Sequence, residues 1–357
     1  MSGGRAGQLS ASGLRPGWTT GACAVAASRA AFVALRTGAF PDPVRVELPG
    51  GSPEFALTAS EFRDGAAMVA VTKDAGDDPD VTHGAVVRAW LSPGAPGSGI
   101  TYAAGPGVGT VTLPGLPLAV GEPAINPMPR RMIEDNLRAA AALDGLDVTD
   151  VLVRIGIDRG EDIARHTLNP RLGIIGGLSV LGTTGVVVPY SCSAWIDSIR
   201  RGVDVARAAG LRHVAGCTGS TSERVAREVH ALPDLALLDM GDFVGAVLKY
   251  LRDRPVERLT ICGGFAKLSK LADGHLDLHS GRSSVDVGYL ARLAGLPAIG
   301  EATTALGALQ VATAHGVPLG DLVAAAARDE ALRVLGGAHV DVDVICIDRA
   351  GTIVGRA

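Results

Sequence analysis

The apolar positions along the chain change their spacing three times. Thr19-Thr20-Gly21 leads into an Ala-rich run that stops at Gly38. A hydroxyl cap, strong helix formers and a terminal glycine predict a helix over 22–37. From there the period shortens towards two, and runs at 44–48, 55–59, 67–73, 85–91, 100–103 and 109–112, parted by Pro, Gly and Asp clusters, predict a mostly antiparallel sheet. Pro127-Met128-Pro129 opens a second helix to about 143, and 151–157 has the unbroken apolar run of a buried strand, followed by a charged turn over 158–165. After 191 the rhythm becomes strand and helix in alternation. Helices are expected at 194–209, 222–230, 243–251 and 265–271, with strands at 211–215, 235–238 and 259–262, the pattern of a parallel, doubly wound sheet. Three Ala-rich helices fill 285–335, and 340–347 with 352–354 form a terminal hairpin that is expected to return to the first sheet.

The fold class is therefore mixed: a mostly antiparallel α+β domain over 1–190, a Rossmann-like parallel α/β domain over 191–282, and 283–357 packing back on the first. Between the two halves lies 169–191, where glycines interrupt branched apolar residues at Gly176-Gly177 and Gly182-Thr183-Thr184-Gly185. So many glycines are costly in an ordinary strand and mark either the wall of a site or backbone packed against backbone. The residues alone leave both readings open.

Composition narrows the function. Hydrophobic residues make up 47% of the 357 positions and aromatic ones 4%, and the formal charge is -4. A nucleic-acid partner would call for a basic stripe with stacking aromatics, so that class is disfavoured. Cys23, Cys192, Cys217, Cys262 and Cys346 are scattered and never paired as Cys-x-x-Cys, which signals neither a disulfide framework nor a zinc site and suits a reducing compartment. No stretch approaches the ~20 apolar residues of a membrane span. Residues 1–12, rich in Gly, Ser and Ala, are expected to be a tail of a cytoplasmic protein.

Candidate chemistry falls on five stretches. Free N–H groups at the start of the first helix, beside Thr19 and Thr20, suit a ligand carboxylate or an ordinary cap. The loop from Lys73 to Asp80 carries four carboxylates suited to Asx turns or to a hard cation, and Asp77, Asp78 and His83 are the residues available for base work. Arg130 and Arg131 stand in the first turn of a helix, where cations oppose its dipole; they suit either a grip on substrate carboxylates or pairing with Glu134 or Asp135. The turn Gly216-Cys217-Thr218-Gly219, with capping-box spacing from Ser220 to Glu223, opens the parallel half, and Asp239 ends the next strand at roughly the 20-residue offset of a ribose-binding acid. Gly263-Gly264 repeats the glycine turn, and Lys267, Lys270, His275, His279 and Arg282 add a cation-rich loop in which the two histidines lack a third metal ligand.

The stretch 169–191, read as NPRLGIIGGLSVLGTTGVVVPYS, is similar to the most characteristic segment of the CbiD family, the cobalt-precorrin-5B (C-1)-methyltransferases of anaerobic cobalamin biosynthesis. The resemblance recurs in order at GWTTGACA (17–24), GDDPDVTHG (76–84), GVGTVTLPGL (107–116), INPMPRRMI (125–133), MGDFVG (240–245) and KLSKL (267–271). The chain departs from the family pattern at Ala22 and over 277–282. The resemblance implies methyl transfer from S-adenosylmethionine to C-1 of cobalt-precorrin-5B, giving cobalt-precorrin-6A and S-adenosylhomocysteine, with cobalt arriving in the substrate and no metal held by the protein. On that basis Gly216, Thr218, Gly219, Asp239, Asp242, Gly263 and Gly264 are expected at the methyl donor. Thr19, Thr20, Arg130, Arg131, Gly182, Thr183, Thr184, Gly185, Lys267, Lys270 and His279 are expected at the tetrapyrrole. The partner is this small molecule, with no nucleic acid or membrane, and a homo-oligomer is compatible with the sequence. A nicotinamide-dependent oxidoreductase acting on a corrinoid precursor and a non-catalytic corrinoid-binding protein are the alternatives, the first weakened by the broken glycine spacing.

Overall fold

The computed structural model describes residues 13–357 apart from 144, 146 and 149, so the expected tail over 1–12 lies outside the described residues. The chain divides into two units, Met1–Ser191 and Cys192–Ala357. In the first, the order is β1 (Gly17–Trp18), α1 (Thr20–Thr37), β2 (Val44–Arg45), β3 (Glu54–Phe55), β4 (Ala59–Arg63), β5 (Ala66–Thr72), β6 (Val86–Pro93), β7 (Ile100–Ala104), β8 (Thr110–Val111), α2 (Pro127–Ala142), β9 (Val151–Ile157), α3 (Gly160–Ala164), β10 (Ile174–Ile175) and β11 (Val186–Val187).

Thr19 caps α1 by accepting from the Ala22 N–H, and Gly38 ends it in the left-handed region. Seven alanines in α1 give it a low profile, and thirteen of its residues are buried where it lies along β5 and β6 and beside α2. The sheet beneath has the order β4-β5-β6-β9-β7, antiparallel except where β7 runs parallel to β9. Apolar residues of these strands meet α1 in one core.

The second unit runs α4 (Cys192–Ala208), β12 (His213–Cys217), α5 (Ser220–His230), β13 (Leu237–Asp239), α6 (Val244–Asp253), β14 (Arg258–Gly264), α7 (Phe265–Ala272), α8 (Val287–Ala294), α9 (Ala305–Ala314), α10 (Leu319–Leu335), β15 (Asp341–Ile347) and β16 (Ile353–Arg356). Its sheet has the order β13-β12-β14-β15-β16, parallel through β15 and closed by antiparallel β16. Alternate residues of β12 and β14 face α5 on one side and α4, α6, α7 and α10 on the other, which is the doubly wound arrangement.

The terminal hairpin does not return to the first sheet, and 283–357 belong to the second unit. β15 pairs in parallel with β14 from Asp341 to Ile347. Gly320 of α10 and Gly355 of β16 then cross so closely that a Cβ on Gly320 would stand 1.7 Å from the Val354 carbonyl oxygen. Two glycines that let a helix lie on an edge strand are a device the apolar pattern does not reveal.

Candidate active site

In the first unit the stretches that carry the family resemblance converge, and their glycines are largely devices of close packing. The Thr19 N–H donates to the Gly185 carbonyl at 3.0 Å, the Gly21 N–H donates to the Leu181 carbonyl at 2.9 Å, and Thr20 Oγ1 accepts from the Leu181 N–H at 3.1 Å. The helix start is therefore met by the 181–185 loop, and Thr19 and Thr20, the residues expected at a substrate carboxylate, are both buried in that crossing. A Cβ on Gly182 would fall 2.3 Å from Thr19 Oγ1, and one on Gly185 would fall 2.7 Å from Leu48 Cδ1. Thr183 and Thr184 remain exposed at the tip of the loop. Likewise Gly177 and Gly160 each press on the Gly107 carbonyl, to 2.3 and 2.1 Å from an added Cβ.

The acidic loop is held shut by its own side chains. Buried Lys73 donates to Asp80 at 2.6 Å, and Asp80 also accepts from the Thr82 N–H and hydroxyl. Burial alone would raise the Asp80 carboxyl; Lys73 and the Thr82 hydrogen bonds outweigh it and hold the group below its ordinary value. Asp77 accepts from the Arg15 N–H at 2.7 Å, Asp78 from the Tyr190 N–H at 2.8 Å, and His83 Nδ1 from the Ala75 N–H at 3.1 Å. All three spend an acceptor on fastening the loop, to Arg15, Tyr190 and Ala75, while the Asx-turn bonds are those that Asp74 and Asp80 accept from the Gly76 and Thr82 N–H groups.

Arg130 is also committed. It donates through Nε to the Ile125 carbonyl at 2.8 Å and through Nη2 to Glu122 at 2.7 Å, and its guanidinium lies 5.2 Å from the Tyr102 ring centroid. It fastens the 122–125 segment to the start of α2, so its guanidinium, expected at the substrate, is engaged within the fold. Its partner is Glu122 and not Glu134 or Asp135. Arg131 is 75% exposed at its side chain with Asp135 3.9 Å away.

In the second unit the expected donor residues do meet. The strand order reverses between β12 and β14, and in open α/β sheets ligands lie outside the carboxyl ends of the strands at such a point. There the Thr218 N–H donates to the Cys262 carbonyl at 3.1 Å, which ties the two turns together. Gly216 and Gly263 are tight: a Cβ would come 2.9 Å from Met240 Sδ and 2.7 Å from Thr218 Cγ2, respectively. Gly219 and Gly264 are open, with nothing within 4 Å of an added Cβ. They are the N-caps of α5 and α7, and neither helix start has a side-chain cap, so backbone N–H groups face that space. The capping box does not form because the helix begins at Ser220 itself; Ser222 Oγ instead donates to the Gly219 carbonyl at 2.7 Å.

Lys267 bridges the edge, donating to the Thr218 carbonyl at 3.1 Å and lying 3.0 Å from Asp242 Oδ1. That buried oxygen accepts no aligned hydrogen bond, so the attraction to Lys267 is chiefly coulombic. Asp239 ends β13 on the same side. Two residues expected at the substrate have partners of their own within the fold. Lys270 is buried and donates to the Leu278 carbonyl at 2.8 Å, and His279 Nδ1 accepts from the Gly281 N–H at 3.1 Å within a local turn.

Sequence reasoning passed over Trp195, in the first turn of α4. Its Nε1–H donates to the Asp239 carbonyl at 3.0 Å while the residue stays 45% exposed. Trp195 continues the apolar stripe of α4, four residues before buried Ile199, so the periodicity gave it the look of a core residue. Away from this edge, His213, His230 and Asp343 bring ligand atoms within 4.8 Å of one another. Arg258, at 3.2 Å, and Arg356, at 4.0 Å, already surround the carboxylate, so the charge there disfavours a cation. The five cysteines are free thiols, and burial pushes those of Cys23 and Cys262 up to about 12, which makes them poor nucleophiles.

An open, uncapped carboxyl edge on a doubly wound sheet, with a lysine and two carboxylates around it, is the place where proteins of this α/β class take a ligand. The chain belongs to the CbiD family: residues 8–189 match CbiD and residues 277–357 match the CbiD C-terminal domain. Curated relatives called cobalt-precorrin-5B C(1)-methyltransferase include those of Paramagnetospirillum magneticum, 55% identical over 96% of this chain and 98% of the relative, and Halorhodospira halophila, 56% identical over 98% and 96%. One from Brucella canis is 56% identical over 96% of this chain and 95% of its own. A crystal structure of the cobalamin biosynthesis protein (cbiD) from Archaeoglobus fulgidus aligns at 26% identity, TM-score 0.40, over 85% of both chains.

Proposed function

We propose that this chain methylates C-1 of cobalt-precorrin-5B, with S-adenosylmethionine as donor, to give cobalt-precorrin-6A in cobalamin biosynthesis. The observation that carries the reading is identity of 55–56% to named methyltransferases across nearly the whole of both chains. The second unit supports it independently. S-adenosylmethionine supplies, when bound, a methyl carbon already activated on a sulfonium. The protein's share is then alignment and exclusion of water, which needs no nucleophilic triad. Gly219 and Gly264 leave backbone free to approach a ligand, the α5 and α7 starts and Lys267 suit its carboxylate, and Asp239 suits the ribose hydroxyls. Asp242 holds Lys267 in position. No residue of the first unit is needed as a base in this account, which agrees with the closed state of Asp77, Asp78 and His83.

Equilibrium dialysis against labelled S-adenosylmethionine and against NADH tests the donor. The reading requires binding of the first that Asp239→Ala weakens by roughly tenfold or more, the loss of two charge-assisted hydrogen bonds. Preference for NADH would favour the oxidoreductase instead.

A further inference from the structure

We propose that the tetrapyrrole docks on the α4–α6 face of the second unit, across Trp195 and Lys249; this rests on the functional reading above and gives that substrate a place. Trp195 is fixed and yet open. Its indole nitrogen is tied to the Asp239 carbonyl, and its ring lies against Gly241, where a Cβ would stand 3.3 Å from Cζ2. Phe243 supports it at 6.5 Å between centroids. One side of the ring rests on the loop that follows β13, while 45% of the residue stays exposed beside the proposed donor edge.

From Phe243 a groove of about 400 Å³ runs along α6, with Ile196, Phe243 and Leu276 as its apolar lining and Arg200, Lys249 and Arg252 as its cations. The two carboxylates in its wall are already taken, Asp277 by Arg282 at 2.6 Å and Asp253 by Arg252 at 3.5 Å. Arg200 lies 5.9 Å from the Tyr250 ring centroid, facing Asp197 at 3.3 Å. Lys249 is exposed and has no ion pair among the described residues. A flat aromatic surface continuing into an apolar groove rimmed by cations, of which Lys249 alone carries no ion pair among the described residues, matches a conjugated disc with carboxylates around its edge. The groove holds one edge of such a disc, and Trp195 supports its face next to the methyl donor.

The test uses the full chain and cobyrinic acid, a stable cobalt corrin bearing peripheral carboxylates, with binding followed by difference absorbance. Lys249→Glu is expected to weaken it about tenfold or more, because a cation is replaced by a like charge. Trp195→Ala should weaken it about fivefold, while Trp195→Phe restores most of the loss by keeping a flat ring. Affinity for S-adenosylmethionine should stay at the wild-type value in Lys249→Glu, whose side chain lies away from the donor edge. Unchanged corrin affinity in folded variants, or no corrin binding by the wild type, overturns the docking face and leaves the methyltransferase reading standing. Loss of corrin binding in the variants of a wild type that binds no S-adenosylmethionine keeps the face and removes that reading. A change in oligomeric mass without a change in corrin affinity would make this an interface between copies and overturn the proposal.

Discussion

Arg130 shows how a locally unfavourable residue acquires its reason from distant sequence. A cation in the first turn of α2 opposes the dipole, but Glu122, the Ile125 carbonyl and the Tyr102 ring together more than offset that cost. Arg130→Ala is therefore expected to lower stability by about 2 kcal/mol, from lost charged hydrogen bonds, and to leave the Michaelis constant for the tetrapyrrole unchanged. Denaturant melts set beside steady-state kinetics separate the two effects. His213 gives a pH dependence of definite sign. Burial first, then repulsion from His230 and Arg258, push its pKa below the ordinary 6.5, with Asp343 opposing. The folded state then holds fewer protons than the unfolded chain between the two values, so the contribution is complete above about 6.5 and declines as pH falls through that window. Thermal melts from about pH 7.5 to about pH 5 should show this slope, and His213→Gln should flatten it.

Among the elements, glycines do two different jobs that the sequence renders alike. Gly177 has no room, with an added Cβ 2.3 Å from the Gly107 carbonyl oxygen, whereas Gly264 has space and an ordinary extended conformation at φ -61. Gly177→Ala should destabilise by roughly 3 kcal/mol, the upper end for overpacking against backbone. Gly264→Ala should leave the melting temperature in place and weaken S-adenosylmethionine binding; equal effects of both on stability would refute the distinction. This also marks how far the sequence was legible. Helices such as α1, α2 and α5, and the strand–helix alternation after 191, follow from periodicity and caps to within a few residues. β4 escaped because all five of its residues are exposed, so an edge strand left no alternation to read. Arg130, Lys270 and His83 share one feature that the sequence does not display. Charge and side-chain type were visible, but their partners, the Glu122 and Leu278 oxygens that accept from Arg130 and Lys270 and the Ala75 N–H that donates to His83, are set by folding.

At the scale of the whole molecule, each unit has a core of its own, and no helix among the described residues is long and apolar enough to cross a membrane. The donor-edge residues and the proposed tetrapyrrole face both belong to the second unit, while the first unit contains most of the stretches that carry the family resemblance. Those stretches encode close backbone crossings, such as that of Gly177 on Gly107. The central claim is a specific methyl transfer, and it is most directly tested by anaerobic incubation of the full chain with cobalt-precorrin-5B and S-adenosylmethionine deuterated at the methyl group. Mass and NMR spectra of the product should show a single intact trideuteromethyl group on C-1, formed together with S-adenosylhomocysteine. A product without the label, or with the label at another carbon, would contradict the account.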